Sequence, residues 1–134
     1  MTEPLAALRV LIVEDNYMIA TCIEEMLMSA GCLVSGPVPR LAEACDAASR
    51  EDCDAALLDI NLNGDRVYPV ADILSRRNVP YLFVTGYNDT VLPSEYAQRP
   101  RIGKPFKNEE LLGALSALVK PAAANPVDAK MQGA

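Results

Sequence analysis

Histidine is absent from all 134 residues, and 12 lysines and arginines face 18 aspartates and glutamates, leaving a formal net charge of −6. The first lack removes a common metal ligand, and the four cysteines, Cys22, Cys32, Cys45 and Cys53, form no C-x-x-C pair, which argues against a zinc site. The shortage of positive charge argues against direct binding to nucleic acid or to anionic lipid, both densely negative. No apolar run approaches the ~18 residues that cross a bilayer, and no signal peptide opens the chain. A soluble, cytoplasmic protein with reduced thiols is expected, its cysteines acting mostly as small core residues.

What is present suffices for a core. Hydrophobic residues make up 51% of the chain, and the length suits one globular domain. Leu8 to Val13 is a β-branched strand-like run, and Asn16 can cap a helix through Gly31 whose apolar face includes Ile19, Ile23, Met26 and Leu27. Cys32 to Val38 reads as a weaker strand interrupted by Gly36-Pro37, followed by an alanine-rich helix from Leu41 to about Arg50 and a strand from Ala55 to Ile60. A third helix is predicted over Arg66 to Arg77 with Pro69 in its first turn, then a strand from Pro80 to Val84 that ends at Thr85-Gly86.

Arg101 to Gly103 suggests a short fifth strand, and Asn108 to Val119 has an amphipathic helical pattern with Leu111, Leu112, Leu115 and Leu118 on its apolar side. Between Tyr87 and Pro100 the chain carries Pro93, Pro100 and few periodic apolar residues, so a short fourth helix is expected there rather than a long one. This alternation predicts an α/β fold: a flavodoxin-like (βα)5 unit with a doubly wound parallel five-stranded sheet in the order 2-1-3-4-5. The domain is expected over residues 1–120, with 121–134 a flexible tail rich in alanine and proline.

Acidic residues gather where such a sheet places its ligands. Glu14 and Asp15 close the run Val10-Leu11-Ile12-Val13, and Asp59 closes Ala55-Ala56-Leu57-Leu58. If both runs are parallel strands of one buried sheet, three carboxylates converge at the carboxyl edge and repel one another unless a cation joins them. Each residue alone has a plain alternative: Glu14 or Asp15 as a helix cap, Asp59 as a turn residue, Lys104 as a solvated lysine and Thr85 as an ordinary strand end.

Their joint register is more specific. Glu14-Asp15 after the first strand, Asp59 after the third, Thr85 after the fourth and Lys104-Pro105-Phe106 after the fifth together resemble a CheY-like response-regulator receiver domain, over Leu8 to about Val119. The stretch Val79-Pro80-Tyr81-Leu82-Phe83-Val84-Thr85-Gly86-Tyr87 further resembles the alphaproteobacterial receiver subfamily marked by Phe-Ala-Thr-Gly followed by glycine or tyrosine, with valine here in place of the alanine.

The resemblance implies a stand-alone receiver of a two-component phosphorelay, a signalling domain and not an enzyme. Asp59 would be the phosphoacceptor, Lys104 a charge stabiliser, and Thr85 a hydroxyl that turns inward to the phosphoryl oxygens, with Gly86 leaving room. Magnesium would be held by Asp15, Asp59 and the backbone carbonyl of Asn61, with Glu14 holding water, and calcium or manganese as substitutes. The Lys104–Pro105 peptide is expected to be cis. The absence of histidine makes the phosphodonor an external histidine kinase or histidine phosphotransfer protein, docking near the first helix and the Lys104 loop, where Tyr17, Met18 and Phe106 lie. The downstream protein is unknown, and neither nucleic acid nor membrane is an expected partner.

One position departs from the family pattern. Three residues before the lysine, where familiar receivers carry Tyr or Phe, stands Arg101, and Tyr87 is the candidate substitute ring. Two other functions compete: a phosphate sink or kinase inhibitor, and a small aspartyl-phosphate phosphohydrolase. The last requires an acidic aspartate two residues after the nucleophile, where this chain has Asn61.

Overall fold

The computed structural model describes residues 5–86 and 92–119. Five parallel strands, β1 (Arg9–Val13), β2 (Leu33–Val38), β3 (Ala55–Asp59), β6 (Tyr81–Thr85) and β7 (Arg101–Gly103), form one sheet in the order β2-β1-β3-β6-β7. A hairpin of β4 (Asn61–Leu62) and β5 (Asp65–Arg66) stands outside it. Without that hairpin the order is the expected 2-1-3-4-5. Among the described residues four α-helices accompany the strands: α1 (Tyr17–Ser29), α2 (Leu41–Arg50), α3 (Tyr68–Arg76) and α4 (Asn108–Val119).

β1, β3 and β6 are buried on both faces, which is why their sequences are continuously apolar and do not alternate, whereas the edge strands β2 and β7 are partly exposed. Side chains of period two divide between two cores. Val10, Ile12, Ala55, Leu57, Leu82 and Val84 pack with Ile23 and Leu27 of α1 and with Leu111 and Leu115 of α4. Leu11, Val13, Ala56, Leu58 and Phe83 face the other way, against Ala44, Ala47 and Ala48 of α2 and Val70, Ala71 and Leu74 of α3. The alanines of α2 allow that helix to lie close to the sheet.

Local chemistry sets the boundaries. Asn16 Oδ1 accepts the Ile19 N–H at 3.1 Å and starts α1, while Gly31, at φ +89°, turns the chain after it. In β2 the register with β1 shifts between Leu11 and Val13, next to Gly36 at φ +94°; a Cβ there would lie 2.6 Å from the Ile12 carbonyl oxygen. Pro69 lies in the first turn of α3, where its missing N–H costs nothing.

Between β6 and β7, where a short helix is expected, the described residues contain a 3-10 turn, Ser94–Tyr96. Pro93 and Pro100 bracket it and keep it short. Aromatic packing holds this turn: Tyr96 stacks on Tyr68 of α3 at 4.4 Å between ring centroids, and both rings meet Phe83 edge-on. The Tyr96 hydroxyl donates to Asp72 Oδ1 at 2.7 Å.

Candidate functional site

The strand register brings the acidic residues together. β1 pairs with β3 up to Val13 and Leu58, so Glu14 and Asp59 leave the sheet side by side at its carboxyl edge. β3 pairs with β6 at Asp59 and Val84, which puts Thr85 one residue beyond, and Thr85 pairs in turn with Gly103 of β7, just before Lys104. Four strand ends thus deliver Glu14, Asp15, Asp59, Thr85 and Lys104 to one edge.

Glu14, Asp15 and Asp59 each present a carboxylate oxygen within 4.8 Å of the others. Glu14 is 2% exposed and Asp59 4% exposed, so both carboxyl groups are taken out of water. Lys104 Nζ lies 3.2 Å from Glu14 Oε1 and 3.5 Å from Asp59 Oδ2. Its hydrogen bond goes to Glu14 Oε2 at 3.3 Å, an atom that also accepts the Asn16 N–H at 3.1 Å. Glu14 Oε1 is therefore ion-paired yet buried without a hydrogen-bond donor.

One ammonium does not compensate three carboxylates. Desolvation, then the charge of Glu14, push the Asp59 carboxyl up to about 8, against the opposing pull of Lys104. The orphaned Glu14 oxygen and the crowding of three carboxyl groups around one ammonium suit a bound cation. An all-oxygen donor set fits magnesium better than zinc or copper.

The hairpin borders this cluster. Asn61 N–H donates to Asp59 Oδ1 at 3.3 Å, and Asn63 N–H donates to Asp15 Oδ2 at 2.9 Å. Asn63 and Gly64 occupy the two turn positions with φ of +52° and +94°, the conformation of a tight two-residue hairpin. Gly64 N–H bonds Asn61 Oδ1 at 2.8 Å, which directs that side-chain oxygen into the turn. Strands of two residues carry no periodicity, so the hairpin is not among the elements expected from the sequence. The Asn63-Gly64 pair was the available signal.

On the other side, Thr85 is buried, with Oγ1 3.5 Å from the Ile102 carbonyl oxygen, and Lys104 N–H donates to the Thr85 carbonyl at 2.7 Å. The Lys104–Pro105 peptide is cis. Arg101 is exposed on β7. Gly86 is half-buried, whereas Tyr87, the proposed substitute ring, lies outside the described residues. Beside the cluster runs a groove of about 520 Å³ lined by Met18, Ile19, Cys22, Met26, Phe106 and Lys104 among others. Cys22 is exposed there, unlike the buried Cys32 and Cys53, so it departs from the expected core role. Burial pushes the Cys32 and Cys53 thiols up, as it does the half-buried Cys45.

A doubly wound parallel sheet with an acidic pocket and a lysine at its carboxyl edge defines a class of α/β signalling domain. Residues 10–116 match the family model of the response regulator receiver domain, and the chain belongs to that family. It is 37% identical to SdrG from Sphingomonas melonis Fr1, over 85% of this chain and 98% of that one, with a TM-score of 0.77. The receiver domain of the sensor histidine kinase PA1611 from Pseudomonas aeruginosa PAO1 is 28% identical, with a TM-score of 0.75 over 87% of this chain and 100% of that one. That structure carries a magnesium ion coordinated in its active site cleft. The cell cycle response regulator CtrA of Brucella ovis is 32% identical over 118 residues, covering 84% of this chain and 50% of that protein. The chain spans about half the length of the curated relatives it matches. Among the described residues, no helix is long and apolar enough to cross a membrane.

Proposed function

We propose that the protein is a phosphorylation-controlled receiver of a two-component phosphorelay, with Asp59 as its phosphoacceptor. The observation that carries this reading is the convergence of Glu14, Asp15 and Asp59 within 4.8 Å, with Lys104 Nζ 3.5 Å from Asp59. One oxygen of Asp59 forms the new O–P bond while the P–N bond to a donor phosphohistidine breaks in line. The leaving imidazole keeps the electron pair and takes a proton from solvent.

Asp15, Asp59 and the Asn61 carbonyl would hold magnesium, with Glu14 acting through water. Bound there, the ion would neutralise the crowded charge of acceptor and donor. Lys104, already facing both Glu14 and Asp59, is placed to follow the negative charge onto a phosphoryl oxygen. Thr85, Gly86 and Tyr87 form the proposed switch: Thr85 exchanges its long contact with Ile102 for the phosphoryl oxygens and draws the following segment with it.

The donor is a histidine kinase or histidine phosphotransfer protein seated at α1 and the Lys104-Pro105-Phe106 loop. Tyr17 and Met18 are 80% and 76% exposed there, beside the apolar groove. Output passes to a further protein. The phosphohydrolase alternative loses support because the position two residues after Asp59 offers an amide whose oxygen is engaged by Gly64.

Incubation with magnesium and acetyl phosphate, followed by intact mass, tests the reading. A single phosphoryl adduct absent from Asp59→Asn supports it, and the adduct's decay separates a lasting signal from a phosphate sink. An adduct that persists in Asp59→Asn overturns the assignment of the acceptor.

A further inference from the structure

We infer that the Asn63–Gly64 turn is a positioning element for the cation, acting through Asp15; the inference rests on the proposed metal site. Asp15 follows β1, on a different element from the hairpin, yet its Oδ2 accepts the Asn63 backbone N–H at 2.9 Å. A carboxylate free to rotate presents either oxygen to a metal. Asp15 has one oxygen fixed by a backbone donor, so the orientation of the whole group is set by the turn.

The turn is itself locked. Asn61 Oδ1 accepts the Gly64 N–H, β4 and β5 pair Asn61 with Arg66 and Leu62 with Asp65, and Leu62 is buried in the core below. The same hairpin presents the Asn61 N–H to Asp59 Oδ1 at 3.3 Å. One six-residue element therefore holds one oxygen of each of the two aspartates proposed as direct ligands. It holds them by main-chain donors alone. Side-chain identity at 63 and 64 matters only through the left-handed backbone that aims the Asn63 N–H.

That separation makes the idea testable without touching a ligand. At Gly64 nothing lies within 4 Å of an added Cβ, so Gly64→Val acts through the positive φ and not through a clash. Asn63→Gly keeps both the N–H and the positive φ, and serves as the control. Gly64→Ala is the milder companion should Val disturb folding. Magnesium titrations followed by 15N–1H NMR read affinity, global fold and the Asn63 amide together.

Wild type and Asn63→Gly should bind magnesium alike. Gly64→Val should retain the core spectrum and lose affinity by about tenfold or more, the range seen when a group orienting a metal ligand is removed. Unchanged affinity in Gly64→Val, with the Asn63 amide shifted out of its carboxylate hydrogen bond, overturns the inference and leaves the proposed function standing. A wild-type protein that takes up no magnesium overturns both.

Discussion

The Tyr96 hydroxyl donates to Asp72 Oδ1 at 2.7 Å, fastening the short turn before β7 to α3. Burial, together with this bond to a carboxylate, pushes the phenol well above the ordinary tyrosine range. The ring also stacks on Tyr68 and meets Phe83 edge-on, so side-chain contacts add to the turn's own backbone hydrogen bonds, such as Tyr96 N–H to the Pro93 carbonyl at 2.9 Å.

These two contacts can be separated by mutation. Tyr96→Phe keeps the stack and should lower unfolding free energy by about 1 kcal/mol, the typical net value of a hydrogen bond whose partner remains solvated. Tyr96→Ala should lower it by about 3 kcal/mol, because the ring leaves a cavity against Tyr68 and Phe83. Urea denaturation of both variants checks the difference.

Stability without divalent cations should depend on pH through Asp59. Its folded carboxyl titrates near 8, above the ordinary aspartate value near 4, so the native state keeps a proton that the unfolded chain has lost. Stability therefore declines as pH rises from about 4 to about 8 and then levels, by on the order of a few kcal/mol. Saturating magnesium should flatten this profile, and Asp59→Asn should remove its Asp59 component. Chemical denaturation from pH 5 to 9 with chelator, and again with magnesium, measures it.

Lys104→Met removes the cation that faces two buried carboxylates. With chelator present, near pH 8, the loss should be about 3 kcal/mol, since a buried charge left unpaired is far more costly than an exposed one. Magnesium should restore part of it. Denaturation midpoints with and without the ion distinguish lost charge balance from lost packing, which the ion would not repair.

Gly36→Ala tests the bulge in β2. The new Cβ would meet the Ile12 carbonyl oxygen at 2.6 Å and the Val38 nitrogen at 3.0 Å, at a φ that alanine resists. A loss of about 3 kcal/mol or more is expected, from strain plus displacement of β1 backbone. Thermal unfolding provides the measurement.

Much of this molecule was legible because burial on both sheet faces leaves a simple signature. The apolar runs ending at Val13, Leu58 and Thr85 mark strands, and the leucines of Asn108–Val119 repeat at helical spacing. Register follows from parallel pairing of those runs, so the edge that gathers Glu14, Asp15, Asp59 and Lys104 could be anticipated. The hairpin could not be seen by periodicity, since two-residue strands have none. The stack of Tyr68 on Tyr96 joins residues from separate elements, and neither carries a local pattern that names the other. The segment between Tyr87 and Pro100 has too few periodic apolar residues to specify a full helix, and Tyr87 itself lies outside the described residues.

β3 sits in the middle of the sheet with a partner on each side, whereas β7 is a three-residue edge paired only with β6. Amide exchange in a strand bonded on both sides requires near-global opening, while a short edge opens locally. Asp59 thus ends a strand expected to open slowly, and Lys104 follows one expected to open more readily. Their 3.5 Å contact is a joint between a fixed post and a loose one. A change of charge at Asp59 is then expressed as displacement of the lysine edge, because that side yields first.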